Sequence, residues 1–168
     1  RASICYATGK TIGSLIENDI RPKDILTFEA FENGIAMANA IGGSTNAVLH
    51  LVALAREVGI NLTLADFERI RKRTPHIANM RPGGSYVMID LEKIGGIPLI
   101  MKMLYKEGLF NGEVITVTGK TMKENLAHVE VDLTEHSQLV APLSAPFHSQ
   151  GTLKVLKGTL APDGAVVK

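Results

Sequence analysis

The sequence predicts an α/β chain that is helix-rich at first and β-type at its end. Three observations carry this prediction: apolar residues recur with helical spacing over most of the first 110 positions, a β-branched run occupies residues 113–118, and prolines and glycines interrupt short apolar runs after residue 139. With 168 residues, of which 45% are hydrophobic, the chain can bury a substantial core.

Four helices are predicted in the first half of the chain. The first covers residues 4–17, where six residues form one apolar stripe: Ile4, Ala7, Thr11, Ile12, Leu15 and Ile16. The second starts after an N-cap at Thr27 and ends at the Gly42-Gly43 pair, and the third spans residues 45–58 and ends at Gly59. Residues 64–73 form the fourth, because Thr63 and Asp66 have the spacing of a capping box.

The second half is predicted to mix helices and strands. Residues 86–94 are compatible with either a helix or a strand, while residues 99–107 predict a helix with Pro98 at its start. The run 113–118 is the clearest strand signal, and residues 122–129 predict a helix after it. From residue 139 onward, apolar runs at 153–156 and 165–167 are typical of β structure and indicate that a second unit begins there.

Charge and hydropathy exclude two classes of partner. The formal net charge is +1 and the lysines and arginines are scattered, so the basic patch of a nucleic-acid or membrane-surface binder is missing. The longest apolar stretches, such as residues 47–55, fall well short of the roughly 20 residues that span a bilayer. We therefore expect neither a nucleic acid nor a membrane as partner.

The sequence shows no metal site. Cys5 is the single cysteine, which fits a reducing compartment such as the cytoplasm, or an organelle in a eukaryote. No two of the five histidines have the i, i+4 spacing that places both rings on one helical face. The chain begins at Arg1 and ends in an apolar run at Lys168, so we expect it to be a piece of a longer protein.

A phosphate-binding P-loop is excluded by spacing. Residues 118–121 read Thr-Gly-Lys-Thr after the predicted strand, which is the right context for such a loop. The motif also needs a glycine five residues before Gly119, and that residue is Val114. Lys120 is then interpreted as a solvated residue at a helix start.

The loop that precedes the third helix is the most informative segment. Glycines at 42 and 43 are followed by polar residues and then by a helical run, and a helix N-terminus presents unpaired N–H groups and a partial positive charge. An anionic ligand would be stabilised there, which makes four residues candidate substrate-binding residues: Gly43, Ser44, Thr45 and Asn46. The alternative is that Ser44 or Asn46 only caps a buried helix.

His50 lies one helical turn after Asn46, on the same predicted helix. A catalytic histidine at this position is one interpretation. A hydrogen-bonded histidine packed on the apolar helix is the interpretation that we favour.

Four motifs together resemble one enzyme family, the dihydroxy-acid dehydratase and phosphogluconate dehydratase family. They are IGGSTNAVLHL at 41–51, RPGGSYVM at 81–88, GGIP at 95–98 and TVTGKT at 116–121. Residues 24–33 and 158–168 extend the likeness over nearly the whole chain, and only residues 127–138 look individual. The 47–50 and 86–88 segments are more similar to the dihydroxy-acid branch than to the phosphogluconate branch.

The resemblance implies a hydro-lyase that converts a small 2,3-dihydroxy carboxylic acid to a 2-keto acid in branched-chain amino acid biosynthesis. Such enzymes use an iron–sulfur cluster as Lewis acid together with a magnesium ion. The family's cluster cysteines, its Cys-Asp-Lys motif and its serine base belong to parts of the family that this chain lacks. The resemblance therefore assigns no catalytic or metal-ligating residue here, and we expect this chain alone to bind neither cofactor and to be inactive.

The resemblance also implies an architecture. Residues 1–138 would be the latter half of a layered α/β domain with few strands, and residues 139–168 the entry into a β-barrel-like domain. The remainder of the parent protein and a second copy, in a homodimer, would be its partners. Two alternatives stay open: a sugar-acid dehydratase of the phosphogluconate type, and a non-catalytic interaction module whose partners supply the chemistry.

Overall fold

The computed structural model describes residues 2–134 and 136–168, which form eight helices and one two-stranded antiparallel sheet. The helices are α1 Ala2–Glu17, α2 Pro22–Ile25, α3 Phe28–Ala40, α4 Asn46–Glu57, α5 Leu64–Arg73, α6 Met88–Lys93, α7 Gly96–Lys106 and α8 Met122–Asn125. The strands are β1 Lys154–Gly158 and β2 Ala161–Val167. The described part of the chain is thus an α/β structure dominated by helices.

Helix α3 lies at the centre of the core. It begins where the Thr27 hydroxyl accepts a hydrogen bond from Ala30 N (3.3 Å), and it packs against α4, α5 and α7. Apolar residues spaced by three or four positions on each helix face one another there and are removed from water. The largest of them include Phe31, Ile35, Phe67, Ile70, Ile100 and Leu104.

The helices predicted in the first half of the chain are confirmed. Helix α5 has the predicted bounds, and its capping box forms because Asp66 Oδ2 accepts hydrogen bonds from Thr63 N (3.0 Å) and Thr63 Oγ1 (2.7 Å). The ambiguous run 86–94 contains a helix, α6. Helix α7 starts at Gly96, so Pro98 lies within its first turn, and α8 ends at Asn125 instead of continuing to residue 129.

The strand prediction at residues 113–118 is wrong. Residues 114–122 fold back as a tight turn, in which Thr116 N donates to Lys120 O (2.9 Å) and Gly119 takes a positive φ of 73°. Side chains compensate for the missing neighbouring strand, because Asn125 Nδ2 donates to Thr116 Oγ1 (2.7 Å) and Thr118 Oγ1 donates to Asn125 Oδ1 (2.9 Å). The β-branched composition was a poor guide because β propensity depends on a partner strand.

The predicted β character near the chain end is confirmed for the runs at 153–156 and 165–167, which fall in or beside β1 and β2. The two strands pair with Lys154 opposite Val167 and Val155 opposite Val166. The segment that contains them docks on the helices: Leu153 N donates to Asn39 Oδ1 (3.0 Å) and Gly151 N to Arg71 O (2.9 Å). The chain end therefore lies beside α3 and α5.

Helix α1 keeps most of its apolar stripe exposed. Ile4, Ile12 and Ile16 are 69%, 54% and 76% exposed, whereas Leu15 is half-buried. A stripe of this kind is a surface that a packing partner would cover. None of the helices in the described ranges is long and apolar enough to cross a membrane.

We predict that Gly151→Ala destabilises the protein by about 1–3 kcal/mol, because a Cβ at this position would overlap the side-chain oxygen of the fully buried Asn39. The measurement is the free energy of unfolding in urea. Gly158→Ala is the matched control: a Cβ there meets no atom within 4 Å, so a change within about 0.5 kcal/mol is expected. Equal effects of the two substitutions would contradict the packing argument.

Candidate functional site

A cleft with a volume of about 860 Å³ lies where the chain end meets the loops that follow α3 and α5. Several of its lining residues are far apart in the sequence but adjacent in space. The lining residues important here are Gly42, Arg71, His76, His148, Gly151 and Lys168. A concave site of this size is large enough to enclose a small-molecule ligand.

The cleft is electropositive. Its lining includes Arg71, Lys168 and two histidines, and within the described residues it includes no aspartate or glutamate. The charge of Arg71 is offset by Glu68, which accepts hydrogen bonds from Arg71 Nε (2.9 Å) and Nη2 (2.8 Å). Lys168 makes no ion pair within the described ranges, and its ammonium group donates to Gly42 O. The cleft thus favours an anion, and Lys168 is the cation best placed to attract it.

Two histidines of the cleft lining, His76 and His148, lie next to each other. Backbone pairing aligns them, because His76 N donates to His148 O (2.9 Å) and His148 N donates to His76 O (3.3 Å). Their Nδ1 atoms lie 2.9 Å apart, and the ring planes are inclined by only 13°. His76 Nε2 donates to Ala78 O (2.9 Å), while the His148 ring is exposed to the cleft.

The surroundings of His76 favour its neutral form. Burial lowers the pKa of His76 most, and the nearby His148 and Lys168 lower it further, while the hydrogen bond to Ala78 O acts in the opposite direction. Arg71 of α5 lines the same cleft. The neutral ring is therefore the form that the fold stabilises.

Gly42 joins the predicted binding loop to this cleft. Its φ is +67°, a conformation that side chains with a Cβ rarely adopt, and a Cβ there would lie 3.1 Å from His76 Nε2. The glycine thus allows the backbone to approach the histidine. Its carbonyl oxygen accepts the hydrogen bond from Lys168.

The four predicted site residues lie beside the cleft but are not part of its lining. Gly43 is half-buried, and Ser44, Thr45 and Asn46 are exposed at the start of α4. The Ser44 hydroxyl accepts a hydrogen bond from Asn46 N (3.2 Å), while the side chain of Thr45, the N-cap residue of α4, makes no capping hydrogen bond. The exposed side chains of Thr45 and Asn46 are accessible to a ligand.

His50 is exposed on α4, so the interpretation of it as a packed histidine is wrong. Sequence reasoning also missed His76, His148 and Lys168. His76 and His148 are 72 positions apart and belong to no spaced motif, so only the pairing of their backbones reveals them.

The described residues do not fit an iron–sulfur cluster or a magnesium ion. Across residues 2–134 and 136–168, no three His, Cys, Asp or Glu side chains are grouped so that they could hold a metal. Cys5 lies exposed on α1, and a cluster of this kind needs several thiolates or imidazoles together.

The structure thus defines an α/β chain with an electropositive cleft, whose charge favours a small anion. Comparison with known proteins identifies the family. A sequence model described as the N-terminal part of dihydroxy-acid/6-phosphogluconate dehydratases matches residues 1–125. The chain therefore belongs to the dihydroxy-acid/6-phosphogluconate dehydratase family.

Curated relatives agree with this assignment. A protein of Sulfurisphaera tokodaii named dihydroxy-acid dehydratase is 55% identical to this chain over all 168 residues. Proteins of the same name from Saccharolobus islandicus and Sulfolobus acidocaldarius are 57% and 55% identical to it, each over 161 residues or 96% of this chain. The matched regions are 30%, 29% and 29% of those relatives. The chain thus spans about a third of the length of the relatives that it matches.

We predict that acidification weakens the fold through His76. The unfolded chain binds a proton near the ordinary histidine pKa of about 6.5, whereas the folded state binds it only at lower pH, so stability is fully present above that value and declines as the pH falls through it. The free energy of unfolding, measured from pH 8 to pH 5, checks this. His76→Gln is expected to reduce the loss of unfolding free energy between pH 8 and pH 5. A variant that loses as much as the unmodified protein would contradict the role of His76.

Proposed function

We propose that this chain is part of a dihydroxy-acid dehydratase, a hydro-lyase that removes water from a 2,3-dihydroxy carboxylic acid to give a 2-keto acid. The observation that carries the proposal is the identity of 55% to a protein of that name over the entire chain. The cleft supports it, because an electropositive lining without carboxylates suits a carboxylic acid substrate.

The alternatives are less well supported. A sugar-acid dehydratase belongs to the same family, but the relatives described above all carry the dihydroxy-acid name. A non-catalytic interaction module has no specific observation in its favour. The proposed place of the enzyme is branched-chain amino acid biosynthesis.

We propose that the substrate carboxylate is held between the α4 N-terminus and Lys168. Gly43, Ser44, Thr45 and Asn46 lie at the positive end of a 12-residue helix, and the Lys168 ammonium group contacts the carbonyl of the adjacent Gly42. Three of the four loop residues are exposed. A carboxylate could then accept hydrogen bonds from the loop while it pairs with the lysine.

In this proposal the metal ligands lie in parts of the parent protein outside these 168 residues. The iron–sulfur cluster and the magnesium ion would supply the Lewis acid chemistry there, and this chain contributes substrate-binding groups. Residues 1–138 complete an α/β domain and residues 139–168 enter a β-barrel-like domain, which the hairpin of β1 and β2 supports. The parent protein is proposed to be a cytoplasmic homodimer, and its other parts are proposed to cover the exposed stripe of α1.

Substrate assays on the intact protein that contains this chain test the proposal. We expect formation of a 2-keto acid from a branched 2,3-dihydroxy acid, detected as its hydrazone, and a kcat/KM at least about tenfold lower with a phosphorylated sugar acid. A preference for the sugar acid would support the phosphogluconate-type alternative. Absence of both activities in protein loaded with cluster and magnesium would favour the non-catalytic module.

Two substitutions in the intact enzyme test how the carboxylate is held. Lys168→Met removes a charged partner and is expected to raise KM about 10- to 100-fold, since such hydrogen bonds contribute about 1.5–3 kcal/mol. Asn46→Ala is expected to raise KM severalfold because it removes one neutral hydrogen-bonding group. Steady-state kinetics measure both effects.

Lys157→Met is the matched control, because Lys157 is an exposed lysine of the same hairpin that does not line the cleft. Its KM should remain that of the unmodified enzyme. If Asn46→Ala leaves both KM and kcat unchanged, the residues from Ser44 to Asn46 serve only as a helix cap.

A further inference from the structure

We propose that His148 Nε2 is a hydrogen-bond acceptor in the cleft for a hydroxyl group of the ligand, and that His76 is the positioning residue that keeps this atom unprotonated. The inference deepens the proposed function and rests on it for the class of ligand, a hydroxy acid.

The position of the proton on His76 follows from its partner. Ala78 O can only accept a hydrogen bond, and it lies 2.9 Å from His76 Nε2, so that nitrogen carries the proton. In the neutral ring the other nitrogen, Nδ1, then has a lone pair and no proton. The burial of His76, together with the positive charge of Lys168 beside it, favours the neutral ring.

The tautomer of His148 follows from that of His76. The two Nδ1 atoms lie 2.9 Å apart, and one of them must donate. Because His76 Nδ1 has only a lone pair, His148 Nδ1 carries the proton and donates it. In the neutral form of His148, Nε2 is then the nitrogen without a proton. A chain of two hydrogen bonds, anchored at a backbone carbonyl, therefore fixes the acceptor.

The other polar groups of the lining differ from this acceptor. Lys168 and Arg71 are pure donors, which suit a carboxylate but cannot accept a hydrogen bond from a hydroxyl. Three further side chains can both donate and accept: Ser149, Gln150 and Thr152. His148 lines the cleft with an exposed ring, so its Nε2 can be reached by a ligand. A hydroxy acid presents both complementary groups, a carboxylate that accepts and a hydroxyl that donates. The cleft thereby distinguishes a hydroxy acid from a simple carboxylic acid.

The tautomers can be measured directly by NMR on the intact protein labelled with ¹⁵N-histidine. We expect His148 to show a protonated Nδ1 and an unprotonated Nε2, and His76 to show the opposite pattern. His76→Gln keeps a side-chain amide able to donate to Ala78 O but removes the Nδ1 acceptor, so His148 should lose its single tautomer. A protonated Nε2 in neutral His148 of the unmodified protein would overturn the inference.

The ligand role is tested with His148→Asn, because the Asn amide can still donate to His76 Nδ1 but places no acceptor at the Nε2 position. The probes are a branched 2,3-dihydroxy acid and the corresponding acid without hydroxyls, with affinities measured by calorimetry. We expect about a tenfold loss of affinity for the dihydroxy acid and no change for the other acid. Equal losses for both acids, or no loss, would overturn the role of His148.

His128→Gln is the matched control, since it replaces an exposed histidine outside the cleft and should leave both affinities unchanged. Failure of the unmodified protein to bind the dihydroxy acid overturns the proposed function, and with it the ligand role of His148. Normal binding and turnover together with an unexpected tautomer overturn this inference alone.

Discussion

The docking of the chain end on the helical core is the constraint on which the rest of the structure depends. Backbone groups of residues 139–151 pair with those of residues 71–79 at the end of α5 and in the loop that follows it. The hydrogen bonds run from Asn79 N to Leu139 O (2.9 Å), Ala141 N to Ile77 O (2.8 Å), His76 N to His148 O (2.9 Å) and Gly151 N to Arg71 O (2.9 Å). Because buried backbone groups need partners, these bonds fix the register of the two segments.

This register creates the electrostatics of the cleft. It places His148 beside His76 and carries Lys168 to the loop at Gly42, where it contacts a carbonyl oxygen 126 positions away in the sequence. Glu68 is not part of the cleft lining; its carboxylate binds Arg71 and accepts a hydrogen bond from Val155 N (3.3 Å). The guanidinium of Arg71 lowers the pKa of Glu68, so this ion pair persists into acidic conditions. Positive charge thus remains uncompensated mainly at Lys168.

The family motif at residues 41–51 and the lining of the cleft overlap only at Gly42. The Gly-Gly-Ser-Thr-Asn segment contributes Gly42 to the cleft, while the polar residues that follow occupy an adjacent exposed surface. The glycine is needed for its positive φ and for its close approach to His76. One short motif therefore contains a glycine that sets the backbone geometry and polar residues that a ligand can reach.

The sequence by itself determined the five longest helices, because apolar spacing and caps such as Thr27 and Thr63 are local signals. It also determined the family, through motifs that stay contiguous in the chain. Only the tertiary structure decided that residues 113–118 form a turn, since a strand requires a partner that local composition does not supply. The histidine pair and the cleft were likewise decided by tertiary structure, because hydrogen bonds between residues 72 positions apart leave no periodic trace in the sequence.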